Sequence, residues 1–177
     1  WHLTPFEDLH LGGSRQQWPL GRGFERYYGY LGGETNQWEP ALVNNNDFTE
    51  QPKSPEEGYH LSEDLTDRAI TYIQDLKAAT PDKPFFLYLA YGAGHAPHHS
   101  PAAWSERYRG RFDDGWDALR EETYRRQLEL GIIPEGTELP ERDPAVPAWD
   151  SFAEDEQRLF ARMMEVFAGY VSHMDDQ

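Results

Sequence analysis

Three histidines lie close together in one short segment, at positions 95, 98 and 99. Imidazole changes charge near neutral pH, so it can transfer protons, and it also binds metal ions. The segment follows eight residues, 84–91, that are almost all aromatic or aliphatic, which is typical of a strand covered on both faces. Sites in open α/β sheets lie at the carboxyl ends of such strands. We therefore predict that His95 is a functional group, whereas His98 and His99, each taken alone, are more typical of a solvated loop.

A helix is predicted immediately before this strand. Apolar residues recur at helical spacing from Ser62 to Ala79, and Ser62 is the expected N-cap. Residues 80–84 contain two prolines, which end the helix before the apolar segment. A helix that leads into a buried strand indicates the α/β fold class.

The other segments predict elements that surround this unit. Residues 1–60 are rich in Gly, Asn and aromatic residues, which favours loops and short strands. Residues 104–131 predict one or two surface helices that end at Gly131, and the four prolines within 133–149 predict an extended connection. From Asp150 a last helix is predicted, with Glu165 and Ser172 off its apolar stripe. The stripe comprises Phe160, Met163, Phe167, Val171 and Met174.

Composition excludes several kinds of protein and site. The net charge of −16 over 177 residues argues against nucleic acid or an anionic membrane surface as the main partner. A local cationic pocket or a metal ion would still admit an anionic substrate. The chain has no cysteine, so it forms no disulfide and no thiolate metal site. No stretch approaches the ~20 apolar residues of a membrane-spanning helix.

Seven segments, in order along the chain, carry a resemblance to one family. They are Trp-His-Leu at 1–3, Arg-Gly-Phe-Glu-Arg-Tyr-Tyr-Gly at 22–29, Gly-Gly-Glu-Thr-Asn-Gln at 32–37, Lys-Pro-Phe-Phe-Leu-Tyr-Leu-Ala at 83–90, His-Ala-Pro-His at 95–98, Phe-Asp-Asp-Gly-Trp-Asp at 112–117 and Met-Glu-Val-Phe-Ala-Gly-Tyr at 164–170. Together they resemble the type I sulfatases, specifically the bacterial arylsulfatase-like branch of the alkaline phosphatase superfamily. The resemblance implies part of an alkaline phosphatase-like sandwich, with a mixed or parallel sheet flanked by helices.

The resemblance also implies two cofactors whose residues fall outside this sequence. In the family a formylglycine, made from Cys or Ser, attacks the sulfur of the sulfate ester, and Ca²⁺ stabilises the sulfate oxygens. By position, the nucleophile segment and the first metal carboxylates would precede Trp1, and the Asp-Asn metal pair would follow Gln177. Asp175 and Asp176 belong to the segment before that pair, so no metal ligand is assigned to this chain. We therefore expect residues 1–177 to be an incomplete portion of a sulfatase catalytic domain.

The family's functional residues transfer to two histidines by position. His2 matches the histidine beside the formylglycine, and His95 matches the histidine that contacts the sulfate and protonates the leaving oxygen. Four further residues are expected to contact the substrate. They are Asn36, Gln37, Trp38 and His98.

The implied activity is hydrolysis of a small-molecule sulfate ester to an alcohol or phenol and inorganic sulfate. Because the nucleophile and metal ligands are not assigned here, we expect the isolated 177 residues to be inactive. A second hypothesis is a phosphate or phosphonate monoester hydrolase of the same superfamily, since both chemistries stabilise a tetrahedral oxyanion. A third hypothesis is a catalytically inactive binding domain, and a fourth is a zinc site formed by His95, His98 and His99.

Overall fold

The computed structural model describes residues 1–177, which divide into two compact units. The first unit comprises Trp1–His99 and Val171–Gln177, and the second comprises Ser100–Tyr170. The first unit contains a small sheet and one long helix, whereas the second is built from helices and an extended segment. The chain therefore combines helices with a limited amount of strand.

The sheet of the first unit is a three-stranded antiparallel meander. Its strands are β1 (Tyr28–Gly29), β2 (Leu42–Asn44) and β3 (Asp47–Thr49), in the order β1-β2-β3. Asn45 and Asn46 join β2 to β3, and Asn45 has a φ of 57°. Two-residue hairpin turns often need such a left-handed residue, which Asn tolerates well. The prediction of short strands within residues 1–60 is confirmed.

Strand β2 supplies side chains to the core on both sides of this sheet. Successive side chains of a strand point to opposite faces, so the buried Leu42 and Val43 enter different clusters. The clusters are Leu42 with Tyr59, Leu61 and Leu65, and Val43 with Trp18 and Leu31. The sheet therefore packs against two hydrophobic clusters, one at each of these side chains.

Helix α1 spans Leu61–Ala79, which confirms the helix predicted for residues 62–79. The predicted cap is wrong, because His60 rather than Ser62 occupies the N-cap position. The His60 side chain accepts a hydrogen bond from the Ser62 backbone N–H, 3.1 Å away, as a capping Ser or Asn would. Ser62 itself is buried in the first turn.

The apolar residues 84–91 do not form the predicted buried strand. No strand pairs with them, and Phe86 is 79% exposed while Tyr88 is 60% exposed. Its ring contacts include Trp1 edge-on against Tyr88, with ring centroids 6.4 Å apart, and Phe24 tilted against Phe86 at 6.2 Å. A strand requires hydrogen-bonding neighbours, and apolar composition does not supply them. The prediction of a strand covered on both faces is therefore wrong for these 177 residues.

The second unit follows the predicted order of elements. Helices α2 (Ala102–Glu106) and α3 (Gly115–Glu129) precede Gly131, whose φ is 66°. Residues 133–148 contain no helix or strand, and a short 3-10 turn at Trp149–Ser151 leads to helix α4 (Glu154–Asp176). The two predicted surface helices and the extended connection are confirmed. None of the helices combines the length and apolar character that a membrane crossing requires.

The buried face of α4 differs from the predicted apolar stripe. Met163 and Phe167 are 53% and 43% exposed, whereas Ala161 and Glu165 are 4% and 5% exposed. Gly169 lies on the same buried face. The helix therefore buries small residues and a carboxylate, while two of its large apolar side chains face outward.

Specific contacts within the second unit explain why α4 buries small residues and a carboxylate in place of the predicted apolar side chains. A Cβ added at Gly169 would lie 2.6 Å from the backbone N of Ser105, so only glycine allows this approach. The Glu165 carboxylate accepts hydrogen bonds from the Gly110 backbone N–H and from Arg162, both at 2.7 Å. A buried carboxylate is tolerated when it is paired in this way.

Gly115, like Gly169, lacks a side chain and so lets another residue, Trp149, pack directly against its backbone in the core of the second unit. Trp149 packs so tightly over Gly115 that a Cβ there would overlap the indole ring. Gly115 also has a φ of 75°, a left-handed conformation that side chains disfavour. The buried Trp149 joins Phe112 and Ala161 in the hydrophobic cluster of this unit.

We expect Gly115→Ala to lower the free energy of unfolding by about 3 kcal/mol or more, because backbone strain and overpacking against Trp149 add together. Gly136→Ala is the matched control, since Gly136 also has a positive φ (83°) but nothing within 4 Å of an added Cβ. Its cost should be about 1–2 kcal/mol. Urea titration followed by tryptophan fluorescence measures both. Equal costs for the two variants would contradict the packing argument.

Candidate active site

His2 lies directly against the backbone of Gly33. A Cβ added at Gly33 would lie 2.8, 2.9 and 3.0 Å from Cε1, Nε2 and Nδ1 of the His2 ring. Real Cβ atoms do not approach other atoms this closely, so the absence of a side chain at position 33 is what admits the imidazole. The ring is otherwise exposed.

His95 is held beside the next residue, Glu34. Nδ1 of His95 lies 3.5 Å from a Glu34 carboxylate oxygen and 2.7 Å from the carbonyl oxygen of Ala96. A carbonyl can only accept a hydrogen bond, so Nδ1 carries the proton and donates to Ala96. Nε2 is therefore the ring atom left to act on a substrate. His2 and His95, far apart in sequence, thus contact adjacent residues.

Asn36 uses its side chain to shape the loop after Glu34. Its carboxamide oxygen accepts hydrogen bonds from the backbone N–H groups of Trp38 (2.9 Å) and Glu39 (3.2 Å). This arrangement is an Asx turn, in which a side chain replaces a backbone carbonyl. The side-chain oxygen of this predicted substrate contact is thus engaged within the protein.

Gln37 is buried rather than exposed to a pocket. It is 2% exposed, and its side-chain N–H donates to the carbonyl of Thr35 at 3.0 Å. Its carboxamide lies against Gly92, where a Cβ would be 2.7 Å from Nε2. The Gln37 backbone N–H also donates to Nδ1 of His99, at 3.3 Å. In this structure Gln37 therefore connects its loop to the end of the histidine-rich loop.

The remaining predicted substrate contacts are Trp38, which follows Gln37 in the chain, and His98, which precedes His99. Trp38 is half-buried and packs edge-on against His60, with ring centroids 4.7 Å apart. His98 is on the loop between His95 and His99. The structure thus brings the predicted residues other than His2 into two neighbouring loops, residues 33–38 and 95–99, and His2 lies against the first of them.

His60 joins the second of these loops to helix α1. The imidazole is 1% exposed; Nε2 donates to the His99 carbonyl at 2.9 Å, and Nδ1 accepts from Ser62 N–H. These two partners define a single neutral tautomer, protonated on Nε2. The Leu61 N–H, in turn, donates to the Gln37 carbonyl at 2.9 Å. The start of α1 is therefore the support for both loops.

Sequence reasoning missed three residues of this arrangement. Gly33 and Glu34 fall inside one of the segments of the resemblance, but nothing in their local pattern shows that they meet histidines distant in sequence. His60 directly precedes the predicted helix, and this position was the one sign in the sequence that it could be the N-cap. A histidine there can cap a helix, but Ser62 is a more common type of cap.

The residues present do not form a metal site. No group of three or more His, Cys, Asp or Glu side chains in the chain is arranged to hold a metal ion. Ca²⁺ takes about 6–8 oxygen ligands, whereas the one carboxylate that contacts either candidate histidine is Glu34. The zinc hypothesis fails on the same ground, since His95, His98 and His99 do not converge. The sequence also contains neither a cysteine nor a Ser-x-Pro-Ser-Arg segment for a formylglycine.

The family model described as Sulfatase matches residues 4–177. The match covers nearly the whole chain, and the chain belongs to the sulfatase family. The resemblance inferred from the seven segments is confirmed.

Three relatives give the extent of this similarity. An uncharacterized sulfatase of Schizosaccharomyces pombe is 30% identical over 193 residues, covering 99% of this chain and 34% of the relative. An arylsulfatase of Klebsiella aerogenes is 28% identical over 182 residues, covering 95% and 37%. The uncharacterized sulfatase YdeN of Escherichia coli is 36% identical over 104 residues, covering 58% and 17%. The chain thus spans about a third of the length of the first two relatives.

Gly33→Ala should displace the His2 ring, because the new methyl group would occupy its position. The chemical shifts of the His2 ring protons should change, because the ring has to move away from the new methyl group. Gly32→Ala is the matched control, since a Cβ there would come no closer than 3.3 Å to another residue. Neither glycine has a positive φ, so backbone strain does not separate the two variants. His2 ring shifts that change no more in Gly33→Ala than in Gly32→Ala would contradict the close approach.

Proposed function

We propose that this chain supplies His2 and His95 to the active site of a sulfuric ester hydrolase. The substrate would be a sulfate ester of a small alcohol or phenol. The observation that carries the proposal is that the His2 ring contacts Gly33 and the His95 ring contacts the adjacent residue, Glu34. Membership of the sulfatase family and the similarity to an arylsulfatase support the same reaction class.

The tautomer of His95 suits it to protonate a leaving group. Nδ1 is committed to Ala96, so protonation of the ring adds an N–H at Nε2. When the S–O bond breaks, its electron pair remains on the leaving oxygen, which takes the proton from Nε2. His2 would donate a hydrogen bond to a sulfate oxygen. The formylglycine and Ca²⁺ typical of the family would have to come from residues other than these 177.

We propose that residues 84–91 pair with further strands of a sandwich domain in the longer protein. Three large side chains of this segment, Phe85, Phe86 and Tyr88, are at least 45% exposed. A cavity of about 510 Å³ lies between this segment, α1 and the residues around β1, and aromatic side chains form much of its lining. Neighbouring strands would cover this apolar surface, which is costly to leave in water.

The isolated 177-residue chain should not hydrolyse a chromogenic aryl sulfate, even with Ca²⁺ added. It has no residue that can become a formylglycine in the family's segment and no metal site. The measurement is release of the phenol, with the longer protein as the positive control. Turnover by the purified chain would show that these residues contain a nucleophile of their own.

In the longer protein, His95→Ala should lower kcat about 10²–10⁴-fold, the usual contribution of a general acid. His10→Ala is the control, because His10 is an exposed histidine whose Nδ1 accepts from Gly12 N–H. Rates with aryl sulfate and aryl phosphate should be measured in parallel. Unchanged turnover in His95→Ala would remove His95 from the mechanism, and a wild-type preference for phosphate would favour the phosphatase hypothesis.

A further inference from the structure

His60 lies outside the residues proposed to contact sulfate, but it holds the loop that carries His95. We propose that His60 is a positioning residue whose neutral ring ties the His99 carbonyl to the first turn of α1, and whose protonation loosens residues 95–99. This inference rests on the proposed function only in its consequence for catalysis, because the hydrogen bonds exist whatever the loop binds.

The two hydrogen bonds of the ring are compatible with the neutral form alone. Nε2 donates to the His99 carbonyl and Nδ1 accepts from Ser62 N–H. An added proton would sit on Nδ1 and face the Ser62 N–H, so two donors would oppose each other. The imidazolium therefore cannot keep both bonds in this ring position, and a ring that turns away from the Ser62 N–H also withdraws Nε2 from the His99 carbonyl.

Two neighbouring imidazoles disfavour a positive charge on the ring, whereas one carboxylate favours it. His173, near the end of α4, packs edge-on against His60 with ring centroids 4.5 Å apart, and Trp38 contacts the ring from its own loop. The titratable groups that face His60 are His99, His173 and Glu63. Glu63 is the one anion of the three, and its carboxylate lies 3.2 Å from Nε2 of His173.

Burial lowers the pKa of His60 to about 4, while the hydrogen bond to the His99 carbonyl opposes this shift. The neighbouring His173 and His99 lower the pKa further, and Glu63 raises it. Because the folded-state pKa lies below the ordinary value of 6.5, protonation favours the open state. The stabilising effect of the neutral ring is complete above pH ~6.5 and declines as the pH falls toward 4.

Amide hydrogen exchange in the full 177-residue chain tests this link without requiring activity. The backbone N–H groups of His95 and His99 are hydrogen-bonded to Gly92 and Pro97 at 3.1 and 2.9 Å, so both report on the loop. Between pH 7 and pH 5, after correction for intrinsic exchange rates, their protection should fall about 20-fold. The Ser62 N–H should lose protection over the same range.

His60→Asn separates the cap from the pH response. Asn is a strong N-cap, so Ser62 should remain protected, but the variant has no ring to donate to His99. Protection of His95 and His99 should be low at both pH values. His10→Asn, at an exposed histidine, should behave as the wild type.

Two results would overturn the inference. One is that the protection of His95 and His99 in the wild type stays constant between pH 7 and pH 5. The other is that the His60→Asn variant keeps the wild-type pH response, because that result would assign the response to His99 or His173. Failure of the proposed function has a different signature, namely unchanged turnover in His95→Ala with the exchange results intact.

Discussion

The hydrogen bonds at the start of α1 are the constraint on which the candidate site depends. The loops that carry His95 and the neighbours of His2 have no strand partners of their own, so they cannot be fixed by a ladder of backbone bonds. Instead, His60 binds the His99 carbonyl and Leu61 binds the Gln37 carbonyl. The His60 side chain is nearly fully buried, and losing a partner of a buried polar group is costly. Hydrogen bonds from the start of the helix therefore fix the positions of two loops that have no regular secondary structure.

Local signals in the sequence predicted local structure well. Helix α1 followed from its periodicity, and the break before residue 84 followed from prolines. Residues 84–91 failed as a strand because pairing is a non-local property. Glu165 was predicted to lie off the buried stripe, but its carboxylate is buried with hydrogen bonds from Arg162 and from the backbone N–H of Gly110, which is distant in sequence. The pattern of a helix cannot show which distant donor will meet a carboxylate.

The resemblance named some residues of the candidate site, and their roles stay predictions. His2 and His95 entered by position in family segments, and the structure brings them to one dipeptide. Glu34 and His60 required knowledge of which loops meet, and only the fold supplies that. Gln37, which stays a predicted substrate contact, is buried and hydrogen-bonds Thr35 and His99 within the protein, and the sequence did not show this part in holding the loop.

The charges of the chain indicate that different groups would orient the substrate and stabilise its negative charge in the proposed reaction. A sulfate ester is anionic, and the chain carries a net charge of −16. Screening limits this repulsion to roughly 8 Å at physiological ionic strength, so groups close to the substrate decide its binding. Around His95 the charged neighbour is Glu34, an anion. In the proposed reaction the surroundings of His95 would therefore suit orientation and proton transfer, whereas the positive charge that stabilises the sulfate oxygens would come from other groups.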